Sequence, residues 1–458
     1  SLLFLQKFMG QVTIDNRAFY KQILVLGAPV ALQNFFQALV NMLDVFMIGQ
    51  LGAAEVTAVA MGSGWIGLLF YLFNGITATG GVFISQYWGK KDTRSIHHYM
   101  GLMFILNLTF SIIFAIFTAL FSDTIMLLYS KDPEVIALGS SYMKIMSISC
   151  VLIGLINVCS ISLVSTEKTF ITMFGTIISL STNTIFNYIL IFGNFGAPKL
   201  GVRGAAIGTI IALTLELLFL YGVSIIKKFP ICAPIKEYFQ FSFSDVKKYF
   251  HYGTFLIMCE VVFAIGNNIY NIGYKYTGTA SQAALQIVNT FTQLAMILSQ
   301  GIGTAAGIML GKLLGENKLE LVKAYSRRFM VLIPAVAFVL GVIIALFSPL
   351  LLSMFNVGEE SLGYAQKMMV IFALTMPFRA ENFAIVAGIL RSGGDSLYCF
   401  LANFVGNWLV GIPMVFLGAV GLHLPVYWVY LMVSADELGK MVVGMPRALS
   451  YKWVKNIT

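Results

Sequence analysis

Charged residues are scarce in this chain of 458 residues, where Asp, Glu, Lys and Arg together make up 11%. Soluble domains carry about 25%. The scarcity is matched by a hydrophobic fraction of 58% and a mean hydropathy of +0.85. A soluble enzyme is therefore excluded, and the composition predicts an all-α polytopic membrane protein with short loops.

Cysteine and histidine are also few, and neither forms a pattern. The five cysteines have no paired spacing, and the four histidines do not join them in a ligand motif. His97 and His98 lie in a predicted loop, and His251 and His423 lie at the ends of predicted spans. We therefore expect no disulfide framework, no bound metal, no cofactor and no enzymatic activity.

We also expect no cleavable signal peptide, because residues 1–19 contain no long apolar run followed by a cleavage site. We expect these residues to form a cytoplasmic N-terminal segment. The 29 basic residues outnumber the 20 acidic ones, but polytopic membrane proteins concentrate Lys and Arg in their cytoplasmic loops. We therefore expect no nucleic-acid partner.

Twelve apolar runs have the length of a membrane-spanning helix. The loops rich in Lys and Arg alternate with loops that have few, so the positive-inside rule predicts a multi-pass protein of the plasma or inner membrane with both termini in the cytoplasm. The runs are 20–45, 56–85, 100–121, 135–160, 170–193, 204–226, 249–273, 282–311, 325–348, 361–390, 397–418 and 424–446.

The chain also contains an internal repeat. A shift of 226 residues aligns, without a gap, Gly27 with Gly253, Gly52 with Gly278 and Gly89 with Gly315. A duplicated six-helix unit predicts two lobes of the same orientation, related by a pseudo-two-fold axis along the membrane normal. The predicted boundaries are an N-lobe at 20–226, a cytoplasmic linker at 227–248, a C-lobe at 249–446 and a cytoplasmic tail at 447–458.

Polar residues inside the spans are the main indicator of function, because each needs a partner or a cavity in the bilayer. In the first span, separations of 4, 4 and 3 residues put Gln33, Gln37, Asn41 and Asp44 on one helical face. Neutral amides suffice for hydrogen bonds between helices, whereas Asp44 favours a water-filled cavity with a titratable carboxylate. Hydrogen bonding between helices remains the alternative.

Further polar residues occur in later spans. We interpret Glu216 and Glu437 as structural, since Lys440 can pair with Asp436 and Glu437 within one helical turn. Arg379 and Glu381 follow Pro377, and they form either a buried pair that holds a bend or a secondary transport site. The remaining candidate site residues are Asn183 and Asn187 in the fifth span, Glu260, Asn267 and Asn271 in the seventh, and Gln300 in the eighth.

Several short motifs follow one another along the duplicated chain. They are Asp44-Val-Phe-Met-Ile-Gly49-Gln-Leu-Gly52, Asn183-Thr-Ile-Phe-Asn187 up to Gly193, Gly204-Ala-Ala-Ile-Gly, Glu260 with Gly266, Gln300-Gly-Ile-Gly up to Gly315, and Gly388-Ile-Leu-Arg-Ser-Gly-Gly-Asp395. In this order the chain resembles the bacterial type of the multidrug and toxic compound extrusion (MATE) family of efflux transporters, from about residue 20 onward.

The resemblance implies a V-shaped transporter of two six-helix lobes that exports cationic, amphipathic compounds in exchange for H+ or Na+. By position, Asp44 matches the carboxylate of the first lobe and Glu260 that of the second, and either could bind Na+ transiently. The chain departs from the family pattern at Asn187 and at Ala380, where other members have Asp. The cation chemistry then rests on Asp44, Glu260 or both.

The alternative function is a lipid-linked saccharide flippase of the same superfamily. Such a cavity would need many Arg and Lys side chains to bind pyrophosphate. Here the polar face of the first span is acidic, and Arg379 is the one arginine deep in a predicted span. We therefore favour the antiporter, with small cationic organic compounds and the lipid bilayer as partners, and we expect a monomer.

Overall fold

The computed structural model describes residues 15–353 and 358–458, and these residues form helices without strands. Most of the predicted segment 1–19 lies outside the described residues. The main helices are α1 Asn16–Gly49, α2 Ala53–Lys90, α3 Thr93–Tyr129, α4 Pro133–Ser165, α5 Thr169–Phe192, α6 Val202–Ile226, α7 Phe243–Lys275, α8 Thr279–Gly315, α9 Leu319–Leu352, α10 Glu359–Leu390, α11 Ser396–Gly421, α12 Val426–Val433 and α13 Asp436–Leu449.

Eleven helices of the described part, α1 to α11, are long and apolar enough to cross a membrane. Each contains most of one predicted apolar run, which confirms the first eleven predicted spans. The helices extend beyond those runs because helical hydrogen bonding continues into polar sequence. The 38 residues of α2 reach about 57 Å at 1.5 Å per residue, against about 30 Å for the hydrocarbon core.

The twelfth predicted run, 424–446, folds as two shorter helices, α12 and α13, with Ser434 and Ala435 between them. The Ser434 hydroxyl donates to the carbonyl of Tyr430 at 2.8 Å. Asp436 and Glu437 then begin α13 as buried carboxylates. A polar junction therefore lies inside a run that its average hydropathy predicted to be one helix.

Both α10 and α11 change from α-helical to π-helical hydrogen bonding along their length. The π segments are Ala384–Leu390 in α10 and Phe404–Gly411 and Leu417–Gly421 in α11. Such segments are rare, and they occur frequently at functional sites because they displace side chains from the regular helical register. The sequence analysis did not predict them.

The described chain divides into two compact units whose boundaries differ from the predicted lobes. Unit 1 comprises the described residues up to Ala31, then Ser85–Lys91 and the residues from Tyr252 onward, and unit 2 comprises Leu32–Ile84 and Asp92–His251. Within unit 1, a Cβ atom on Gly27 would lie 2.9 Å from the carbonyl oxygen of Gly301. Only glycine permits this approach of α1 to α8, so the first part of α1 belongs with the second half of the sequence.

The segment between α6 and α7 is shorter than predicted, since α7 begins inside the range 227–248. Within unit 2, His97 of α3 contacts this segment through both ring nitrogens. Nδ1 lies 3.0 Å from Glu237 Oε2, and Nε2 lies 2.8 Å from the carbonyl oxygen of Pro230. Burial raises the pKa of Tyr238 to about 12, so its hydroxyl stays protonated and donates to the carbonyl of Ile231 at 2.7 Å.

The predicted tail, 447–458, packs inside unit 1. The Trp453 side chain is fully buried, and its Nε1 donates to the carbonyl of Ala448 at 2.9 Å. Gln86, at the end of α2, accepts a hydrogen bond from the backbone N–H of Ile457 at 2.9 Å and donates to the carbonyl of Ser392 at 2.8 Å. One buried amide thus connects α2 to both the α10–α11 turn and the tail.

Candidate functional site

A polar site in unit 2 is centred on Asp44 of α1. Asn187 Nδ2 donates to Asp44 Oδ1 at 2.9 Å and to Asn183 Oδ1 at 3.1 Å. Asn183 Nδ2 in turn lies 3.1 Å from the hydroxyl oxygen of Thr209. Helices α1, α5 and α6 therefore each contribute to the site, and both asparagines predicted from the fifth span contact the predicted carboxylate directly or through one another.

The contact between Asp44 and Asn183 can be satisfied in two ways. In the orientation above, the Asn183 oxygen faces Asp44, which suits a protonated carboxyl group that donates. With the amide turned over, Asn183 Nδ2 lies 2.9 Å from Asp44 Oδ1 and 3.2 Å from Oδ2, which suits an ionised carboxylate that only accepts. The site thus provides hydrogen bonds for both protonation states of Asp44.

Asp44 has no basic partner among residues 15–353 and 358–458. Its side chain is half-buried, in a helix that is apolar enough to span the bilayer. A full negative charge is costly in that environment unless it is paired. Asp44 is therefore an intramembrane carboxyl group without a fixed counter-charge among the described residues.

The four polar residues predicted on one face of α1 do not form one site. Gln33 Nε2 donates to the hydroxyl of Thr176 in α5 at 2.9 Å. Gln37 and Asn41 are exposed and are bonded to each other at 3.1 Å. The face therefore contacts α5 at its two ends, through Gln33 and Asp44.

Hydroxyl residues of α5 and α6 contribute to these contacts, and the sequence analysis missed them. Their signal on α5 is a buried stripe with separations of 3, 4 and 4, which places its members on one face. The stripe consists of Thr176, Ser179, Asn183 and Asn187. The other face of α5 exposes large apolar residues, namely Phe174, Ile185 and Tyr188.

The predicted carboxylate of the second half, Glu260, has a basic partner. Its Oε1 lies 2.8 Å from Nη2 of Arg391, with the two side chains 18% and 20% exposed. Arg391 lies in the predicted loop between the runs 361–390 and 397–418. Of the other residues predicted there, Asn267 and Gln300 are half-buried and Asn271 is exposed.

The predicted pair between Arg379 and Glu381 is wrong. The Arg379 guanidinium lies 5.8 Å from the ring centre of Tyr430, and Nη2 is 3.5 Å from the Ser434 hydroxyl oxygen. Glu381 is buried, and neither carboxylate oxygen has a hydrogen-bond partner in the part of the chain that the structure describes. Side chains two residues apart project to nearly opposite sides of a helix, which keeps the two groups apart.

The predicted pairing of Lys440 is confirmed. Its Nζ lies 3.0 Å from Asp436 Oδ2 and 3.2 Å from Glu437 Oε1. Asn382 Nδ2 donates to Glu437 Oε2 at 2.8 Å, and the Tyr270 hydroxyl donates to Asp436 Oδ2 at 3.3 Å. This buried cluster joins α7, α10 and α13 of unit 1.

The fold is shared with solved transporter structures. A Vibrio cholerae MATE transporter, a variant of VcmN, superposes with a TM-score of 0.87 at 15% identity, over 96% of this chain and 99% of that one. A multidrug resistance MATE family transporter in an outward-facing conformation gives 0.84 at 17% identity, over 98% of each chain. This likeness confirms the predicted polytopic helical fold.

Sequence relatives align over nearly the whole chain. The probable multidrug resistance protein NorM of Bacillus licheniformis is 25% identical over 92% of this chain and 94% of that protein. The uncharacterized transporter YisQ of Bacillus subtilis is 22% identical over 93% of each. A family model described as MatE matches residues 29–189 and 251–417. Since those two ranges take up most of both halves of the sequence, the chain belongs to the MatE family.

Proposed function

We propose that the chain is a secondary active antiporter that exports cationic, amphipathic organic compounds in exchange for protons, by alternating access of its two predicted lobes. Its relatives include probable multidrug resistance proteins, which supports an organic substrate. We place the protein in the cell membrane with both termini in the cytoplasm, on the basis of its alternating basic loops, and we propose that it acts as a monomer.

The observation that carries this proposal is the environment of Asp44. The Asn187 amide donates to it, the turned-over Asn183 amide can do so as well, and no basic side chain of the described residues neutralises it. A carboxylate in this position can be neutral with a proton or paired with a cationic substrate, but not both. Such mutually exclusive occupancy is the requirement for exchange.

The Asp44 surroundings favour the proton over Na+ as the coupling ion. The Asn183 amide can serve both protonation states of Asp44, with its oxygen towards a protonated carboxyl group or its nitrogen 2.9 Å from an ionised one. One proton exchanged for one monovalent cation moves no net charge. A difference of one pH unit then supports about a tenfold substrate gradient.

The lipid-linked saccharide flippase has less support. That function requires free basic side chains for pyrophosphate. In the second half, Arg391 is already paired with Glu260, and Arg379 lies over the Tyr430 ring.

The test uses purified protein in liposomes, with ethidium as a monovalent cationic probe and with pH and sodium gradients imposed separately. We expect the wild type to move the dye against its gradient when only the pH differs. Asp44→Asn should retain the fold and lose coupled transport, because the amide is nearly isosteric but cannot take up or release a proton. Wild-type export by this variant, or export driven by sodium alone, would refute the assignment.

A further inference from the structure

A second intramembrane carboxylate of unit 2, Glu216 of α6, has surroundings that the Asp44 site does not explain. It is 7% exposed, and the hydroxyl of Thr176 donates to its Oε1 at 3.2 Å. The Ser179 hydroxyl also contacts it. Both neighbours are neutral, so neither supplies a positive charge.

Three other intramembrane carboxylates show how a permanent charge can be balanced here, whereas Glu381 of α10 is buried without a hydrogen-bond partner among the described residues. Asp436 and Glu437 share Lys440, and Glu260 is paired with Arg391. Glu216 has no such partner among the described residues. An ionised carboxylate without a counter-charge costs several kcal/mol in an apolar interior, and such groups take up a proton instead.

The helices packed against Glu216 bring no charge to it. Helix α6 packs against α5 and α4, and Thr176 connects it to Gln33 of α1. None of the titratable groups on these helices within unit 2 forms a hydrogen bond or ion pair with Glu216. These groups are Asp44 on α1, Glu134, Tyr142, Lys144, Cys150 and Cys159 on α4, Tyr188 on α5, and Arg203 and Tyr221 on α6.

We propose that Glu216 is a second proton-binding site, which makes the exchange two protons for one monovalent cation. This inference rests on the proposed function and extends it. The proton forms an O–H bond with a Glu216 carboxylate oxygen when taken from water on one side of the membrane, and it returns to water on the other. The carboxyl group is neutral in the first state and anionic in the second.

Glu216 is connected through Thr176 of α5 to α1, the helix that carries Asp44. Thr176 accepts a hydrogen bond from Gln33 of α1 while its own hydroxyl donates to Glu216. Gln33 and Asp44 are 11 residues apart on α1, or about 16 Å along the helix axis. Helix α1 therefore contacts α5 at two separate points that depend on a carboxylate. One is the contact of Asp44 with Asn187, and the other is the contact of Gln33 with Thr176, which is bonded to Glu216.

The two-proton exchange has a measurable electrical consequence. Two protons entering for one monovalent cation leaving carry one net charge inward, so the membrane potential contributes to the dye gradient. One charge across 100 mV corresponds to about a fifty-fold gradient. A one-proton exchange is electroneutral and insensitive to potential.

The experiment imposes a potassium diffusion potential on the liposomes at equal pH on both sides, with ethidium as the probe. We expect the wild type to respond, by up to about fifty-fold per 100 mV. Glu216→Gln should lose this response and keep the response to a pH gradient, and Glu216→Asp should regain it. The matched control is Glu134→Gln, which changes an exposed carboxylate and should behave as the wild type.

Each outcome separates this inference from the proposed function. A wild type that responds to pH but not to potential would leave the antiporter standing and overturn the second proton. A wild type that moves no dye under either gradient would overturn both. An unchanged potential response in Glu216→Gln would overturn the role of Glu216.

If Glu216→Gln transports nothing, an infrared measurement decides. The pH-difference spectrum of the wild type should contain a carbonyl band of a protonated carboxyl group that Glu216→Gln lacks and Glu134→Gln retains. A spectrum of Glu216→Gln that keeps the full wild-type band would refute the proposal.

Discussion

Removing the positive charge from the buried cluster of unit 1 should destabilise the protein strongly. Lys440 Nζ contacts two carboxylates at 3.0 and 3.2 Å, and all three side chains are less than 10% exposed. Lys440→Met preserves an unbranched chain but leaves Asp436 and Glu437 as unbalanced neighbours. Breaking a buried ion pair in this way costs about 3–5 kcal/mol, or roughly two to three and a half powers of ten in the unfolding equilibrium.

The measurement is equilibrium unfolding in mixed micelles of dodecyl maltoside and sodium dodecyl sulfate, followed by tryptophan fluorescence. The loss of unfolding free energy in Lys440→Met should become smaller as the pH falls, because the carboxylates of Asp436 and Glu437 then take up protons and lose their charge. The triple variant Lys440→Met, Asp436→Asn, Glu437→Gln removes all three charges and should recover most of the lost stability. Lys275→Met, at an exposed lysine, is the control.

Two results would refute this reasoning. The free energy of unfolding of Lys440→Met could lie within about 0.5 kcal/mol of the wild-type value, as it does for ordinary surface substitutions. In that case the cluster is hydrated and its charges do not depend on one another. If the triple variant is as unstable as the single one, the loss comes from packing around the lysine chain. Should the single variant not fold at all, the stability of the triple variant still decides between charge and packing.

Two further predictions concern the linker and a helix contact. His97→Ala removes both contacts to the segment between α6 and α7, so amide hydrogen exchange there should accelerate by roughly one to two powers of ten, whereas His423→Ala should leave it unchanged; equal rates in both variants would contradict this. A Cβ atom on Gly301 would lie 2.6 Å from a backbone oxygen of α1, so Gly301→Ala should lower stability by about 1–3 kcal/mol in the unfolding assay. Gly363→Ala, where the Cβ meets nothing within 4 Å, is the matched control, and similar losses in both would contradict the close contact.

Periodicity and composition predicted the helices well, because helix formation depends on local sequence. Eleven spans were predicted to within a few turns, and the Lys440 pairs followed from separations of three and four residues along α13. The break before Asp436 was not predicted, because an average over some 20 residues conceals two polar positions. The π segments of α10 and α11 depend on packing between helices, which the sequence alone does not specify.

Contacts between distant parts of the chain limited the prediction of the site. The spacing in α1 identified Asp44, and the asparagine pair in α5 was recognised, but no local rule joins residues 143 positions apart. Arg391 was interpreted as a loop residue, although it lies 2.8 Å from Glu260. Glu216 was interpreted as structural, and local spacing does not identify its neutral partners Thr176 and Ser179, which lie on another helix.

The side-chain contacts of Gln86 bear on the order in which the protein is built during synthesis. All of unit 2 lies between Leu32 and His251, so all its residues are synthesised before those from Tyr252 onward. Unit 1 combines the first part of α1 and the end of α2 with the residues from Tyr252 onward. Gln86 can accept its hydrogen bond from Ile457 only after residue 457 has been synthesised. Unit 2 can therefore fold early, whereas the first part of α1 and the end of α2 gain their unit 1 partners only after residues 252–458 have been synthesised.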